Sequence, residues 1–466
     1  MYIYVYLYMY AYIYIYICFW TVSCRIIILI DFMKAAYLSR AGVRTTVLER
    51  RNLLGGASVT EEIVPGFKFS RASYLLSLLR PQIYEDLQLK RHGLTLLPRP
   101  YLSFCPLLDG TQPGHYLLLG SDMQENQKNI AQFSRSDAQM YPDYVQTMER
   151  FVTAMDPLLD SPLPDIPGLF HRSPRKVLQA LKGLRPLLKT VRTLGKDIPS
   201  FLEILTAPSA KVQIGWAAGH LFVTCVHLMS IPFSYVLLHH VMGNMTGTRG
   251  AWAYVQGGMG ALSDSIAASA MEHGASVFTN SVQQIMVDDC GCAVGVALTS
   301  GEEIKSKIVL SNATAHVTYL QLTPQVRIRS ALKCLRSMSF VLVILKLWTR
   351  CRIFAENEAE FHHGCTIHLN AWDMECLDLA FRDNIFHGAM SLDQLFTCRP
   401  HHSHCGAASP IRGLFLCGSG AHPGTGKHLD VMWNVRPVFS RIVQVETIQT
   451  VRVRFGMFQF TNLGSP

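Results

Sequence analysis

Apolar residues at Ala35, Ala36, Leu38 and Ala41 recur at the spacing of one helical face, and Gly42 stands where such a helix would stop. Residues 45–48 follow as a short run rich in β-branched side chains, the pattern of a buried parallel strand, and the run ends at Glu49. Upstream, residues 25–31 read RIIILID and form a candidate first strand that leads into the helix with hardly any loop. Residues 1–17 alternate between Tyr and an apolar residue. That period of two suits a strand and its lack of charge suits a membrane segment. However, so long a strand is unusual, and repeated Tyr hydroxyls would need partners in lipid. The alternation is also what a TA-rich microsatellite gives on translation, Tyr codons interleaving with those of Ile, Val, Leu, Met and Ala. On that reading residues 1–33 stand outside the fold.

Helix, strand and terminal acid are the second half of a dinucleotide-binding βαβ unit. An acid at the tip of the second strand accepts hydrogen bonds from the adenosine ribose hydroxyls, and Glu49 occupies that position. The adjacent Gly55 and Gly56 would let backbone N–H groups approach a phosphate without Cβ obstruction. The plainer reading is a surface loop with Glu49 as a solvated charge. The Gly-x-Gly-x-x-Gly turn of such units is missing, since Gly42 is the first glycine in the chain.

Residues 47–87, beginning VLERRNLLGGASVTEE, are similar to the start of the phytoene desaturase-like (carotenoid oxidoreductase-like) FAD flavoproteins. Three later blocks fit the same family in the same order: GAWAYVQGGMGALSDSIA at residues 250–267, the strand-rich piece at 278–313, and FHGAMSLDQLF with GLFLCGSGAHPG at 386–396 and 413–424. The resemblance implies an α/β fold. Its Rossmann-like FAD-binding domain, a three-layer ββα arrangement, would be assembled from residues 34–74, 242–316 and 384–426. An α+β substrate domain would draw on 75–241 and 317–383. It implies FAD contacts at Glu49 and Arg50, at Gly55 and Gly56, at the backbone of Val282 against the adenine, and at Gly418 and Gly420 along the ribityl chain and isoalloxazine. Arg71 falls near the flavin by family position, or serves as a structural ion-pair former. No catalytic acid or base is nominated. The implied activity is FAD-dependent oxidation of a small or lipidic molecule in an apolar tunnel, with a mitochondrial matrix location, a part in regulating mitochondrial function and a mitochondrial protein partner. The alternative is a non-enzymatic binding protein on the same architecture, as in the Rab GDP-dissociation inhibitors. Residues 427–466 share nothing with the glycine- and alanine-rich helix expected after GSGAHPGTG, and the join between LDLAF and NIFHGAM is shortened relative to the family.

A length of 466 residues allows two domains, and 49% hydrophobic residues lies in the globular range. The formal charge of +9 is modest, and without a recognised motif it does not indicate nucleic acid. Part of it is concentrated in residues 171–196, where leucines at helical spacing alternate with Lys and Arg. That stretch is either a solvated helix face or a peripheral contact with an anionic membrane. The 13 cysteines include no C-x-x-C or C-x-x-x-x-C pair; Cys290 and Cys292 flank a glycine in an expected hairpin turn. Histidine-rich clusters at residues 362–368 and 401–405 have the N/S donor types of zinc sites, but no metal is assigned to them, because exposed or singly bonded imidazoles account for them.

Overall fold

The computed structural model describes residues 25–29, 32–71, 73–106, 116–161, 164–206, 238, 241–244, 249–279, 281–313, 317–324, 409 and 411–417. Residues 1–24, both histidine clusters, the Gly418 and Gly420 positions, the tail from 427 and most of the expected apolar tunnel lie outside them.

The chain opens with strand β1 (Arg25–Leu29), helix α1 (Phe32–Arg40) and strand β2 (Arg44–Leu48), the expected helix-then-strand order. Gly42, at a positive φ of 82°, ends the helix as anticipated. The hairpin β3 (Thr60–Val64) and β4 (Phe67–Ser70) follows, then helix α2 (Pro81–Asp86) and strands β5 (Leu96–Pro98), β6 (Tyr101–Pro106) and β7 (Tyr116–Gly120). A helical run comes next: α3 (Met123–Ala131), α4 (Arg135–Leu159), α5 (Ile166–Leu169), α6 (Pro174–Gly183), α7 (Arg185–Leu194) and α8 (Ile198–Thr206). The chain then returns through β8 (Ala253–Val255), α9 (Met259–Glu272), β9 (Ser276–Phe278), the antiparallel set β10 (Val282–Val287), β11 (Ala293–Leu298) and β12 (Glu303–Lys305), then β13 (Ile308–Ser311) and β14 (Leu414–Leu416).

Five of these strands form one parallel sheet in the order β14-β13-β1-β2-β9. Alternation of side chains assigns its two faces. Val47, Ile308 and Leu310 pack with α1 and α9, together with Ala35, Ala36, Leu38, Leu262 and Ile266. Leu48, Val309, Leu414 and Leu416 point the other way and pack with Ile285, Val296 and Leu298 of the antiparallel strands. Helices, parallel sheet and antiparallel sheet are therefore three layers, as the family resemblance implied. A strand run that is apolar at successive positions is what a sheet covered on both faces requires.

Three expectations are corrected. The strand-rich piece at 278–313, assigned as one block to the Rossmann-like domain, divides between two sheets. Its β13 joins the parallel sheet, whereas β10, β11 and β12 make a separate sheet on the far face, because consecutive short strands with tight turns pair with one another. The boundary at residue 33 also moves. β1 pairs in parallel with both β2 and β13, so Arg25–Leu29 is the central strand and lies inside the fold. The boundaries at 75 and 317 shift too. Leu76, Leu79, Ile83, Leu87, Leu89 and Leu94 pack in the core beneath α1 and α9, and Tyr319 packs with the antiparallel strands.

The helical part has its own core, in which Met148, Phe151 and Met155 of α4 meet Leu194, Phe201, Ile204 and Leu205. Phe151 and Phe201 pack edge to face at 5.4 Å. Arg80 donates to Asp156 at 2.8 Å and Asp160 at 2.5 Å, and Arg249 also pairs with Asp156. This largely buried set of charges ties the end of α4 to the two chain segments that cross between the parts. Removing one partner of such a set leaves a buried charge uncompensated. Arg80→Met is therefore expected to lower unfolding free energy by about 3 kcal/mol, read from urea denaturation; a change below about 1 kcal/mol would show that the set does not hold the two parts together.

Candidate functional site

The strand order reverses direction in sequence around β1: the chain steps outward to β2 and β9 on one side and to β13 and β14 on the other. In open α/β sheets a ligand lies beyond the carboxyl ends of the strands at such a switch point. Three polar groups gather on that edge. Glu49 follows β2 directly, Ser311 ends β13, and Lys34 of α1 reaches across to donate its Nζ to the carbonyl of Cys417 at 2.6 Å, just past β14. Lys34 is 1% exposed, so this contact binds the first helix to the last strand inside the core. A lysine on the buried stripe of α1 is the signal in the sequence for this contact, and sequence reading passed over it.

Glu49 is 2% exposed. Its backbone N–H donates to the Phe278 carbonyl at 2.9 Å, which extends the β2–β9 pairing and fixes the carboxylate at the sheet edge. Its Oε1 accepts from the Arg51 backbone N–H at 3.0 Å, while its Oε2 is buried without a hydrogen-bond partner among the described residues. Burial raises the Glu49 carboxyl above the usual range, with hydrogen bonds and charge from Arg51 and Arg50 pulling the other way. A buried carboxylate oxygen without a donor costs free energy. A ribose hydroxyl is a donor of the right kind, and Glu49 stands where a dinucleotide fold places one, so the residues present fit the adenosine end of FAD. Arg50, beside it, is exposed.

The two glycines divide their work differently from expectation. Gly55 has φ 115°, and a Cβ there would overlap Ser263 of α9 and the carbonyl of Ser58, so this glycine is required by helix packing. Gly56 has φ 60° with open space where a Cβ would go, so its backbone conformation and not packing favours glycine there. The loop is pinned to α9 by Ser263 donating to the Ser58 carbonyl at 2.7 Å and by Ser58 donating to the Met259 carbonyl at 3.1 Å. Thr60 and Ser70 hydroxyls accept from the Gly260 and Met259 N–H groups at 2.9 Å, which caps the start of α9. The glycines in the GGMGAL block thus permit close approach to the β3–β4 hairpin.

Beyond this edge, Glu61 receives Arg51 and, at 2.8 Å, Arg71. Arg71 therefore forms the structural ion pair that was one of its two readings. The Arg51–Glu61 pair was not anticipated, since nothing in its spacing marks it. Val282 opens β10, half-buried and paired with Leu298, four positions after the Phe278 that bonds Glu49. The chain thus passes from the Glu49 edge directly to Val282. Between β1 and α1 the connection is Ile30 and Asp31, with no glycine to cradle a pyrophosphate. Cys290 and Cys292 lie in the β10–β11 hairpin, where Asp288 accepts from the Cys292 N–H at 2.7 Å. Among the described residues no cluster of His, Cys, Asp and Glu could hold a metal.

No protein-family model matches the chain. It is 42% identical to pyridine nucleotide-disulfide oxidoreductase domain-containing protein 2 of Rattus norvegicus, an alignment taking in 84% of this chain and 88% of the relative, and 41% identical to the Mus musculus protein of the same name over the same shares. These alignments run over 520 residues, more than the 466 of the chain, so the relatives carry segments that this chain lacks. A shorter stretch, 25% of this chain and 21% of the relative, is 33% identical to a limonene dehydrogenase chain of Castellaniella defragrans. Among solved structures, an oxidoreductase from Methanosarcina mazei is 13% identical and covers 89% of this chain and 99% of its own, at a TM-score of 0.46.

A carboxyl whose folded pKa is raised costs stability above both its folded and unfolded pKa values, and the loss is recovered as pH falls through the folded value. Glu49→Gln should therefore leave flavin-free protein as stable as the parent or more so at neutral pH, and the advantage should shrink on acidification. Melting temperatures across the mildly acidic to neutral range check this; a Glu49→Gln protein clearly less stable at neutral pH would contradict the unpartnered carboxylate.

Proposed function

Since the chain belongs to the family of pyridine nucleotide-disulfide oxidoreductase domain-containing protein 2, we propose that it is a FAD-dependent oxidoreductase of phytoene desaturase-like type. The observation that carries the cofactor is the buried Glu49 at the end of β2, whose Oε2 has no partner among the described residues. In this reading Glu49 accepts a ribose hydroxyl, Arg50 lies alongside, the Gly56 segment passes the pyrophosphate, and the start of β10 at Val282 offers its backbone to the adenine. Gly418 and Gly420 follow β14 in sequence and are assigned to the ribityl and isoalloxazine end. Bound flavin supplies the hydride or electron acceptance. The chain's own part is to orient that group and to exclude water from it.

We assign an apolar or lipidic molecule as the substrate, supported by the family resemblance and by the local similarity to the limonene dehydrogenase. A place in the mitochondrial matrix, with a regulatory part there and a mitochondrial protein partner, rests on the family resemblance alone and belongs to the same proposal.

One observation favours a second reading. In the sequence only Ile30 and Asp31 separate β1 from α1, without the glycines whose backbone N–H groups hold a pyrophosphate in such folds. An acid in place of a glycine in that stretch opposes a phosphate. On this reading the chain is a binding protein on the same fold, without turnover.

Purified full-length protein distinguishes the two. Visible flavin bands that are retained through gel filtration, or restored by added FAD, support the oxidoreductase. Colourless protein that FAD does not reconstitute supports the binding protein. If FAD binds, Glu49→Gln should weaken it about tenfold or more, the scale of a lost hydrogen bond to a charged group, whereas Asp31→Gly should strengthen it. Flavin fluorescence titration reads both; unchanged affinity for Glu49→Gln would remove Glu49 from the site.

A further inference from the structure

Outside the sheet edge, the most unbalanced surface is the pair of consecutive helices α6 and α7. From residue 166 to residue 196 the sequence carries eight Lys or Arg and no Asp or Glu. An acid-free run of this length cannot neutralise itself through helix-face ion pairs. Of α6 only Ala180 is buried, and of α7 only Thr190 and Leu194. Thr190 donates to the Ala154 carbonyl at 2.7 Å, so α7 is held against α4 by one edge.

The rest of the apolar stripe faces outward. Leu178 is 56% exposed, Leu181 and Leu188 are each 51% exposed, and Val191 is 43% exposed. On α7 the helical spacing puts Leu187, Leu188 and Val191 in one arc and Arg185, Lys189 and Arg192 in the arc beside it, with Leu188 one turn from both Arg185 and Arg192. Phe170, just past α5, is 85% exposed on the same acid-free run. Large apolar side chains are normal on a surface singly, but a stripe of them on a wholly cationic segment is not.

We propose that α6 and α7 dock the protein on a bilayer surface rich in anionic phospholipid. The leucines would enter the boundary between headgroups and acyl chains, and the lysines and arginines would meet the headgroup phosphates. Charge complementarity selects this occupant. An acid-free cationic face repels a second copy of itself, and an apolar peptide would leave eight cations unmatched. The contact is peripheral: no described helix is long and apolar enough to cross a membrane. It would bring an apolar substrate dissolved in the membrane to the protein, and it holds whether or not flavin is bound.

Full-length protein is floated with vesicles of phosphatidylcholine alone and of equal parts phosphatidylcholine and phosphatidylglycerol. Recovery with the anionic vesicles only, lost at high salt, is expected. Each cation near an anionic surface contributes about fivefold to partitioning, so Lys189→Glu with Arg192→Glu should lower it by at least tenfold. Leu188→Ser should lower it with no change in melting temperature or oligomeric state. Equal recovery with both vesicle types, no recovery with either, or full binding by the charge-reversed protein would overturn the proposal. So would a Leu188→Ser protein that melts earlier or changes its oligomeric state, because the stripe would then be covered by the chain itself or by a second copy.

Discussion

A parallel sheet covered on both faces has no room for an unpaired polar group except at its ends, and the rest of this structure follows from that restriction. One face takes α1 and α9, the other takes the antiparallel strands, and β2 and β13 between them are buried at successive positions. Polar chemistry is thereby pushed to the carboxyl edge. Lys34 closes that edge by bonding the Cys417 carbonyl across the core, and Glu49 leaves one carboxylate oxygen facing it without a donor. The first contact has its partner inside the protein. The second has none among the described residues, and the proposed cofactor contact rests on this asymmetry.

Local order was legible in the sequence. Helical spacing up to Gly42, the β-branched run into Glu49 and the hairpin around Gly291 each depend on neighbours within a few residues. What escaped depends on contacts between distant residues. Gly55 was read as a phosphate glycine, but a side chain there would meet not only the nearby Ser58 carbonyl but also Ser263, more than two hundred positions away. The role of Arg51 is set by Glu61 across a turn, and Lys34 finds its acceptor at the far end of the chain. Domain boundaries drawn by resemblance slipped for the same reason. Leucines from 76 to 94 belong to the core beneath α1 because the β5–β8 pairing holds that segment against the strand that leads into α9.

The two halves of the candidate site are not equally well built. In the proposed function the adenosine end has its acid in Glu49 and a chain path leading to Val282. For the pyrophosphate end the sequence offers only Ile30 and Asp31 between β1 and α1, without a glycine. Recognition should therefore rest on the adenosine part of the cofactor more heavily than in folds with an intact glycine turn, where backbone N–H groups share the work.

Comparing FAD with FMN, which keeps the isoalloxazine, ribityl chain and one phosphate but lacks the adenosine, tests this most directly. Titration of the full-length protein with each by flavin fluorescence should show FAD binding clearly tighter than FMN, with the difference largely erased in Glu49→Gln. Equal affinity for FAD and FMN in the parent protein would contradict an adenosine site at the end of β2.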